Sequence, residues 1–301
     1  MKLANGVPHP IPYQGSKRFL AEEILSRMPR RFARLVEPFA GSAAISLAVA
    51  SRKMSDRFWI NDAHRPLADL WKAILGRPET LASNYESLWR SQRGREREFF
   101  DRVRDQFNDD HKPEHFLYLL ARCVKAAIRY NSQGRFNNTP DNRRKGAKPD
   151  EMRSRILGAA GLLAGKAKVT ALDYRDVLSD CKQGDLIYMD PPYQGVCATR
   201  DHRYAPKIDH GQFYGALDQL NRREFMFLVS YDGRCGDKRY GDPLPATLGL
   251  VHLELCAGRS TQATLLGRDL VTYESLYLSP ALASALAQSQ NGKSQRQLRL
   301  A

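Results

Sequence analysis

The stretch Asp185-Leu186-Ile187-Tyr188-Met189-Asp190-Pro191-Pro192-Tyr193 constrains this chain more than any other. Leu186 to Met189, closed by Asp190, reads as a short buried strand, because a continuous apolar run of this length suits a strand covered on both faces. The two prolines fix φ and donate no backbone hydrogen bond, and Pro191 disfavours a helical Asp190. The turn therefore holds a carboxylate, a carbonyl and an aromatic ring in a set arrangement at a strand's carboxyl end, the edge where open α/β sheets bind ligands. Carboxylate and carbonyl are both acceptors. Together they can hold the two N–H bonds of an exocyclic amino group while the Tyr193 ring stacks on the heterocycle that bears it. The alternative is a plain Pro-Pro loop after a core strand.

A device for gripping a base fits the charge. Lys and Arg number 47 against 33 Asp and Glu in 301 residues, a net +14. Such a balance favours a polyanionic partner through counterion release, against the plainer reading of a basic soluble protein. The five cysteines, at 123, 181, 197, 235 and 256, form no CxxC pair. They suggest reduced thiols in a cytosolic setting rather than a disulfide frame. No apolar run reaches the length of a membrane span and no secretory leader is recognisable, so a cytoplasmic location is expected.

Upstream, Pro10-Ile11-Pro12-Tyr13-Gln14-Gly15-Ser16-Lys17 is a proline-rich loop. Ser16 is placed to cap a helix running to about Arg27. Lys17 would then sit in a first turn, where a cation opposes the helix dipole. An anionic ligand group is one explanation and an exposed lysine the other. Leu35 and Val36 make a short strand, Pro38 to Ser42 a tight turn, and Ser42 to Ala50 a helix of small residues. The next strand, Phe58 to Asn61, ends at Asp62, 21 residues after Gly41. An acid there can accept hydrogen bonds from ribose hydroxyls. It can equally cap a helix over residues 65–75, and the two roles are compatible.

Residues 76–150 read differently. Helical periodicity covers about 79–92, 95–107 and 114–129, and is then broken from Tyr130 to Gly146, a stretch rich in Asn, Gly and Arg. Asn and Gln suit adenine edges and Arg suits guanine, so a two-stranded ribbon here could enter a major groove. The alternative is a solvated loop. His111 and His115 are four apart with no third ligand in view, so no metal is expected. Asp150 is placed to cap a helix to about Leu163, and Lys168 to Leu172 forms a strand ending at Asp173-Tyr174. After the central turn, residues 194–208 read as an irregular loop over the site. Asp209 caps a helix to about Arg222, Phe225 to Ser230 is an apolar strand, and strands near 250–256 and 270–278 follow. Beyond Ser284 the composition predicts a frayed tail.

In this order the pieces resemble the Dam-type (alpha-class) adenine-N6-specific DNA methyltransferases over about residues 10–280. The motifs that carry the resemblance are Tyr13-Gln14-Gly15-Ser16-Lys17, Val36-Glu37-Pro38-Phe39-Ala40-Gly41-Ser42, Asn61-Asp62, Arg129-Tyr130-Asn131-Ser132 with Gly134 and Phe136-Asn137, and Asp190-Pro191-Pro192-Tyr193. Tyr204 with Phe213, Gly258-Arg259-Ser260 and Glu274-Ser275-Leu276 add weaker similarities. Tyr13 stands where the family commonly has tryptophan, Ser42-Ala43-Ala44 lacks a frequent further glycine, and Asn137 to Lys148 departs from the pattern of GATC readers.

The resemblance implies an α/β fold, a Rossmann-like S-adenosylmethionine-dependent methyltransferase sheet with an inserted, mostly helical target-recognition domain. Residues 1–75 and 151–283 would form the catalytic part, 76–150 the recognition part with its basic hairpin, and 284–301 a flexible tail. The implied catalytic residues are Asp190, Pro191, Pro192 and Tyr193. Tyr13, Lys17, Glu37, Phe39, Gly41, Asp62, Asp173, Tyr174 and Asp190 would contact S-adenosyl-L-methionine, with Lys17 facing the methionine carboxylate and Asp62 the ribose. Arg129, Asn131, Arg135, Asn137, Asn138, Arg143, Arg144 and Lys145 are the DNA contacts expected. The implied partners are double-stranded DNA and, as a candidate, a cognate restriction endonuclease encoded nearby. The same turn would also suit an RNA or cytosine-N4 methyltransferase, or a catalytically silent DNA-binding relative.

Overall fold

The computed structural model describes residues 6–192, 208–236, 238–259 and 271–298. Among the described residues eight strands form one sheet: β1 Arg34–Glu37, β2 Phe58–Asn61, β3 Ala167–Thr170, β4 Asp185–Met189, β5 Met226–Cys235, β6 Lys238–Arg239, β7 Val251–Arg259 and β8 Val271–Leu278. The order is β3-β2-β1-β4-β5-β8-β7, with β6 paired to β5. The first five of that order are parallel, and β8 and β7 add antiparallel beyond β5. This is the Rossmann-like sheet expected. All five residues of β4 are buried, as a strand at the middle of a covered parallel sheet must be. The strand order reverses between β1 and β4, so a crevice opens where their carboxyl ends diverge. Glu37 closes β1 and Asp190 follows β4 at that point.

The helices are α1 Ala21–Leu25, α2 Ala44–Ser51, α3 Arg65–Gly76, α4 Pro78–Ser91, α5 Glu96–Asp110, α6 Pro113–Arg122, α7 Pro149–Leu163, α8 Tyr174–Ser179, α9 His210–Arg222 and α10 Pro280–Leu298. One face of the sheet packs on α1 to α7 through residues such as Leu35, Ile60, Trp71, Leu186 and Ile156. The other packs on α8 and α9 through Val36, Ile187, Val229 and Phe213. Phe107, Phe116 and Phe136, from the segment 76–150, are buried in the same cluster as the first face, so that segment shares a core with the sheet.

Several expected boundaries move. The helix from Ser16 to Arg27 is instead a 3₁₀ turn, Lys17–Phe19, followed by α1. Ser16 caps nothing, because its hydroxyl oxygen accepts from the Ser42 hydroxyl at 2.8 Å. The helix to residue 129 stops at Arg122, where Cys123 turns extended and bridges to Pro140. Arg122 is drawn into that crossing: its carbonyl accepts from Asp141 N at 2.7 Å and its guanidinium donates to Asp141 O at 3.2 Å. α2 starts at Ala44 rather than Ser42, since Gly41 and Ala43 hold left-handed φ of 52° and 46°. α7 begins at Pro149 after Lys148, which leaves Asp150 inside the first turn, favourable to the dipole but not a cap. Asp209 does cap α9, its carboxylate accepting from Gln212 N. The expected tail continues instead as α10, where buried Leu282 and half-buried Leu286 anchor its first turns to the core.

Candidate active site

The turns after β1, β2 and β3 are pinned together by Asn61, a buried amide at the end of β2. Its Nδ2 donates to Pro38 O at 2.9 Å and Leu172 O at 3.0 Å, and its Oδ1 accepts from Thr170 Oγ1 at 2.7 Å and Leu172 N at 2.9 Å. One side chain thus satisfies backbone groups of two neighbouring turns. Sequence reading passed over it as part of a motif, although a polar residue closing the apolar run Phe58 to Ile60 was a usable signal. Next to it, Asp62 accepts from Gly41 N at 2.9 Å and His64 N at 2.9 Å. It therefore fixes the Gly41 turn and the entry to α3 without being the residue that caps the helix. Trp71 adds a bond from its indole N–H to Gly41 O at 3.0 Å. Gly41 is required twice over: its φ is left-handed, and a Cβ there would lie 2.9 Å from the Tyr13 ring.

Glu37 is fully enclosed, and its Oε2 accepts from Ser46 N at 2.9 Å and from the Ser46 hydroxyl. Burial pushes its pKa up to about 8, and the charge of Asp190 pushes the same way against the Ser46 bonds. Burial likewise raises Asp62 to about 6, opposed by its bonds from His64 and Gly41. Lys17 is buried, and its ammonium lies 3.0 Å from Asp190 Oδ1 and 3.3 Å from Glu274 Oε2 on β8. Burial works against that charge, but the two carboxylates outweigh it and hold the lysine above its ordinary range.

These groups line one cavity of about 480 Å³ at the strand-order reversal. Tyr13, Lys17, Glu37, Phe39, Gly41, Asp62, Asp173, Tyr174, Asp190, Pro191 and Pro192 all reach it. Tyr193, Tyr204, Ser260 and most of the loop 194–208 lie outside the described residues. Phe39 and Tyr174 form an aromatic wall with ring centroids 5.2 Å apart. The Tyr174 hydroxyl is buried with no hydrogen-bond partner among the described residues. Asp173 caps α8 and is held ionised below the usual range by Arg175, whose guanidinium grips both its oxygens at 2.8 and 3.1 Å.

The basic segment lies beside this cavity through His64, whose Nε2 is 2.5 Å from the Tyr130 hydroxyl. Burial lowers His64 to about 4, so the ring is neutral. The expected ribbon is a tight loop closed by two isolated bridges, Cys123 to Pro140 and Tyr130 to Phe136, rather than two continuous strands. Asn131 folds it, its Oδ1 accepting from Gln133 N and Arg135 N at 3.0 Å each. Arg129, Arg135, Asn137, Arg143, Arg144 and Lys145 are exposed as a DNA-facing set needs. Asn138 is not: it is buried, accepting from Arg129 N at 2.9 Å and donating to Ala127 O at 2.7 Å. Its side chain holds the loop, and burial keeps the amide from facing a base.

A Rossmann-like sheet with an aromatic-walled cavity, a strand-end acid and an Asp-Pro-Pro turn at its switch point defines a methyltransferase. More narrowly, the chain belongs to the D12 class N6 adenine-specific DNA methyltransferase family, whose profile matches residues 13–239. It is 28% identical over 192 residues to the retron Ec67 DNA adenine methylase of Escherichia coli, covering 62% of this chain and 64% of that protein. It is 26% identical over 228 residues to the DNA adenine methylase of Serratia marcescens, covering 74% and 79%. It is 26% identical over 195 residues to the type II methyltransferase M1.LlaDCHI of Lactococcus lactis subsp. cremoris, covering 62% and 66%. The family uses S-adenosylmethionine as methyl donor. The cavity fits that molecule: each oxygen of Asp62 keeps a lone pair beyond its backbone bond, the wall is aromatic, the Tyr174 hydroxyl waits for a partner, and the volume lies within the range of small-molecule sites.

Proposed function

We propose that this chain is a site-specific DNA methyltransferase that modifies the N6 of an adenine flipped out of double-stranded DNA. The observation that carries this reading is the place of Asp190: it follows the central strand, at the switch point, on the wall of the cavity that Asp62, Phe39 and Tyr174 also line. S-adenosylmethionine, when bound, supplies a sulfonium methyl group that needs little activation. The adenine amine is the weak partner, because its lone pair is delocalised into the ring. Asp190 carboxylate and Pro191 carbonyl each accept one of its N–H bonds and favour a pyramidal, nucleophilic nitrogen. Holding that nitrogen about 3–3.5 Å from the methyl carbon would supply much of the acceleration. As the N–C bond formed, the methyl–sulfur bond would break and release the donor as its neutral thioether; the nitrogen would become cationic, the negative Asp190 beside it would stabilise that charge, and the surplus proton would pass to solvent water.

Asp62 would hold the ribose and the Tyr174 hydroxyl a polar atom of the donor, while Phe39 and Tyr13 exclude water around it. Tyr193 would stack on the flipped base and offset part of the few kcal/mol of unstacking. Arg129, Arg135, Arg143, Arg144 and Lys145 would track phosphates or base edges, with Asn137 as the exposed amide. The chain would act in the cytoplasm on bacterial or phage DNA. A restriction endonuclease sharing its target is the partner class that fits.

The test is expression in a host free of adenine methylation, followed by single-molecule mapping of modified bases. N6-methyladenine at one short motif is expected. N4-methylcytosine would correct the base, and an unmodified genome would overturn the reading.

A further inference from the structure

The Asp190 carboxylate is a flexible acceptor beside a lysine, and it must stay aimed at the substrate to act on the amine. Lys17 couples it to a second acid. Its ammonium is buried and shared between Asp190 Oδ1 at 3.0 Å and Glu274 Oε2 at 3.3 Å, with Gly15 O a third acceptor at 3.3 Å. Glu274 comes from β8, far from the Asp-Pro-Pro turn in sequence, and the sheet is built to bring it there. The β5–β8 pairing shifts register between Ser230 and Gly233, and Gly233 then pairs with Glu274 itself. A Cβ on Gly233 would collide with the Tyr273 carbonyl oxygen and lie 3.3 Å from Glu274 Cα, so β8 can approach only a glycine there.

A lysine paired to Asp190 alone would commit that carboxylate to the ammonium and leave the pair neutral. A second carboxylate draws the ammonium off centre and leaves the trio with one net negative charge. That charge faces a reaction in which the accepting nitrogen turns cationic, and the low-dielectric wall makes it count. We propose that Glu274 is a positioning residue for methyl transfer: by sharing Lys17 it orients Asp190 and keeps the reacting amine next to a net negative site. This rests on the methyltransferase reading above.

The test is a double-mutant cycle on the full chain with Lys17→Met, Glu274→Gln and both together, in single-turnover methylation of a DNA carrying the mapped motif. Cofactor binding is measured by calorimetry and folding by thermal melts. Glu274→Gln keeps the shape and a hydrogen-bond acceptor but removes the charge. Its expected effect is a fall of about 10–100-fold in the methyl-transfer rate, with cofactor affinity and the apparent affinity for DNA within about 3-fold. In the Lys17→Met background the same substitution should cost nothing further, because a residue that acts through Lys17 has lost its handle. Additive losses in the cycle, an unchanged rate in Glu274→Gln, or a loss confined to cofactor binding would each overturn the proposal. Glu274→Asp, which restores the charge, should recover part of the rate if Glu274→Gln also lowers the melting temperature; no recovery would mean a structural role. If the unsubstituted chain methylates no DNA, the methyltransferase reading falls and this one with it. An active parent with an indifferent Glu274 removes this inference alone.

Discussion

At the carboxyl edge of the sheet the charged groups are mainly acids drawn out of water; between Arg129 and Lys145 they are mainly bases left in it. Glu37 and Asp62 carry raised pKa values because burial disfavours their charge, and each is fastened by backbone N–H groups. Arg143, Arg144 and Lys145 stand on a loop shaped by asparagine and aspartate turns, and Lys145 pairs with Glu96 at 2.7 Å on the surface. Buried groups have their protonation and geometry set by the fold and respond little to salt. Exposed ones keep their charge for phosphates and are screened within about 8–10 Å.

The largest effect falls at Asp190, on the buried edge. Asp190→Ala should lower methylation by at least about 10³-fold while calorimetry finds cofactor affinity within about 3-fold, since the residue acts chiefly on the amine and is only one of many groups around the donor. Undiminished turnover would mean that the buried edge is not where the chemistry occurs.

A second test concerns Glu37. Between its ordinary 4.5 and about 8 the folded chain keeps a proton that the unfolded chain has lost, so raising pH across that window favours unfolding. Denaturant melts should lose on the order of a few kcal/mol from this group between pH 5 and pH 8. Glu37→Gln should flatten that decline. A variant with the parent's full slope would place the buried proton elsewhere.

Asn61 and Asn138 sharpen the contrast, because one amide sits in each region and both are buried. Asn61→Ala removes four hydrogen bonds to backbone and Thr170 and should cost about 2–4 kcal/mol in urea melts, together with cofactor affinity. Asn138→Ala should cost about 1–2 kcal/mol and leave cofactor affinity alone. The reverse order would contradict the pinning role given to Asn61.

The smallest effects belong to the exposed bases. Arg143→Gln should weaken DNA binding at all sequences and reduce the slope of log affinity against log salt by about 1, without moving the melting temperature. Lys145→Gln should do less, since Glu96 already takes part of that charge. Fluorescence anisotropy over a salt series distinguishes the two, and equal slopes would show that the surface pair opens on DNA.

The parts legible in the amino-acid sequence are those whose physics is local. The apolar run before Asp190, the Pro-Pro turn, the strands ahead of Glu37 and Asp62, and the Asp209 cap depend on neighbours a few residues away, and they stand where periodicity and turn chemistry put them. The family could be recognised for the same reason: its motifs are short, and their order survives without contacts. The tertiary structure decided what depends on distant partners. α6 ends at Arg122 because Asp141 and Pro140 bind across it, against its own periodicity. Ser16 gives up a cap for Ser42, and Asn138 turns inward to hold Arg129 and Ala127. Lys17 meets Glu274 as well as Asp190 only because β8 folds back beside β5. A hydrogen bond or ion pair across such a separation wins over local propensity once burial has removed water as the competing partner, and no window of sequence contains both of its ends.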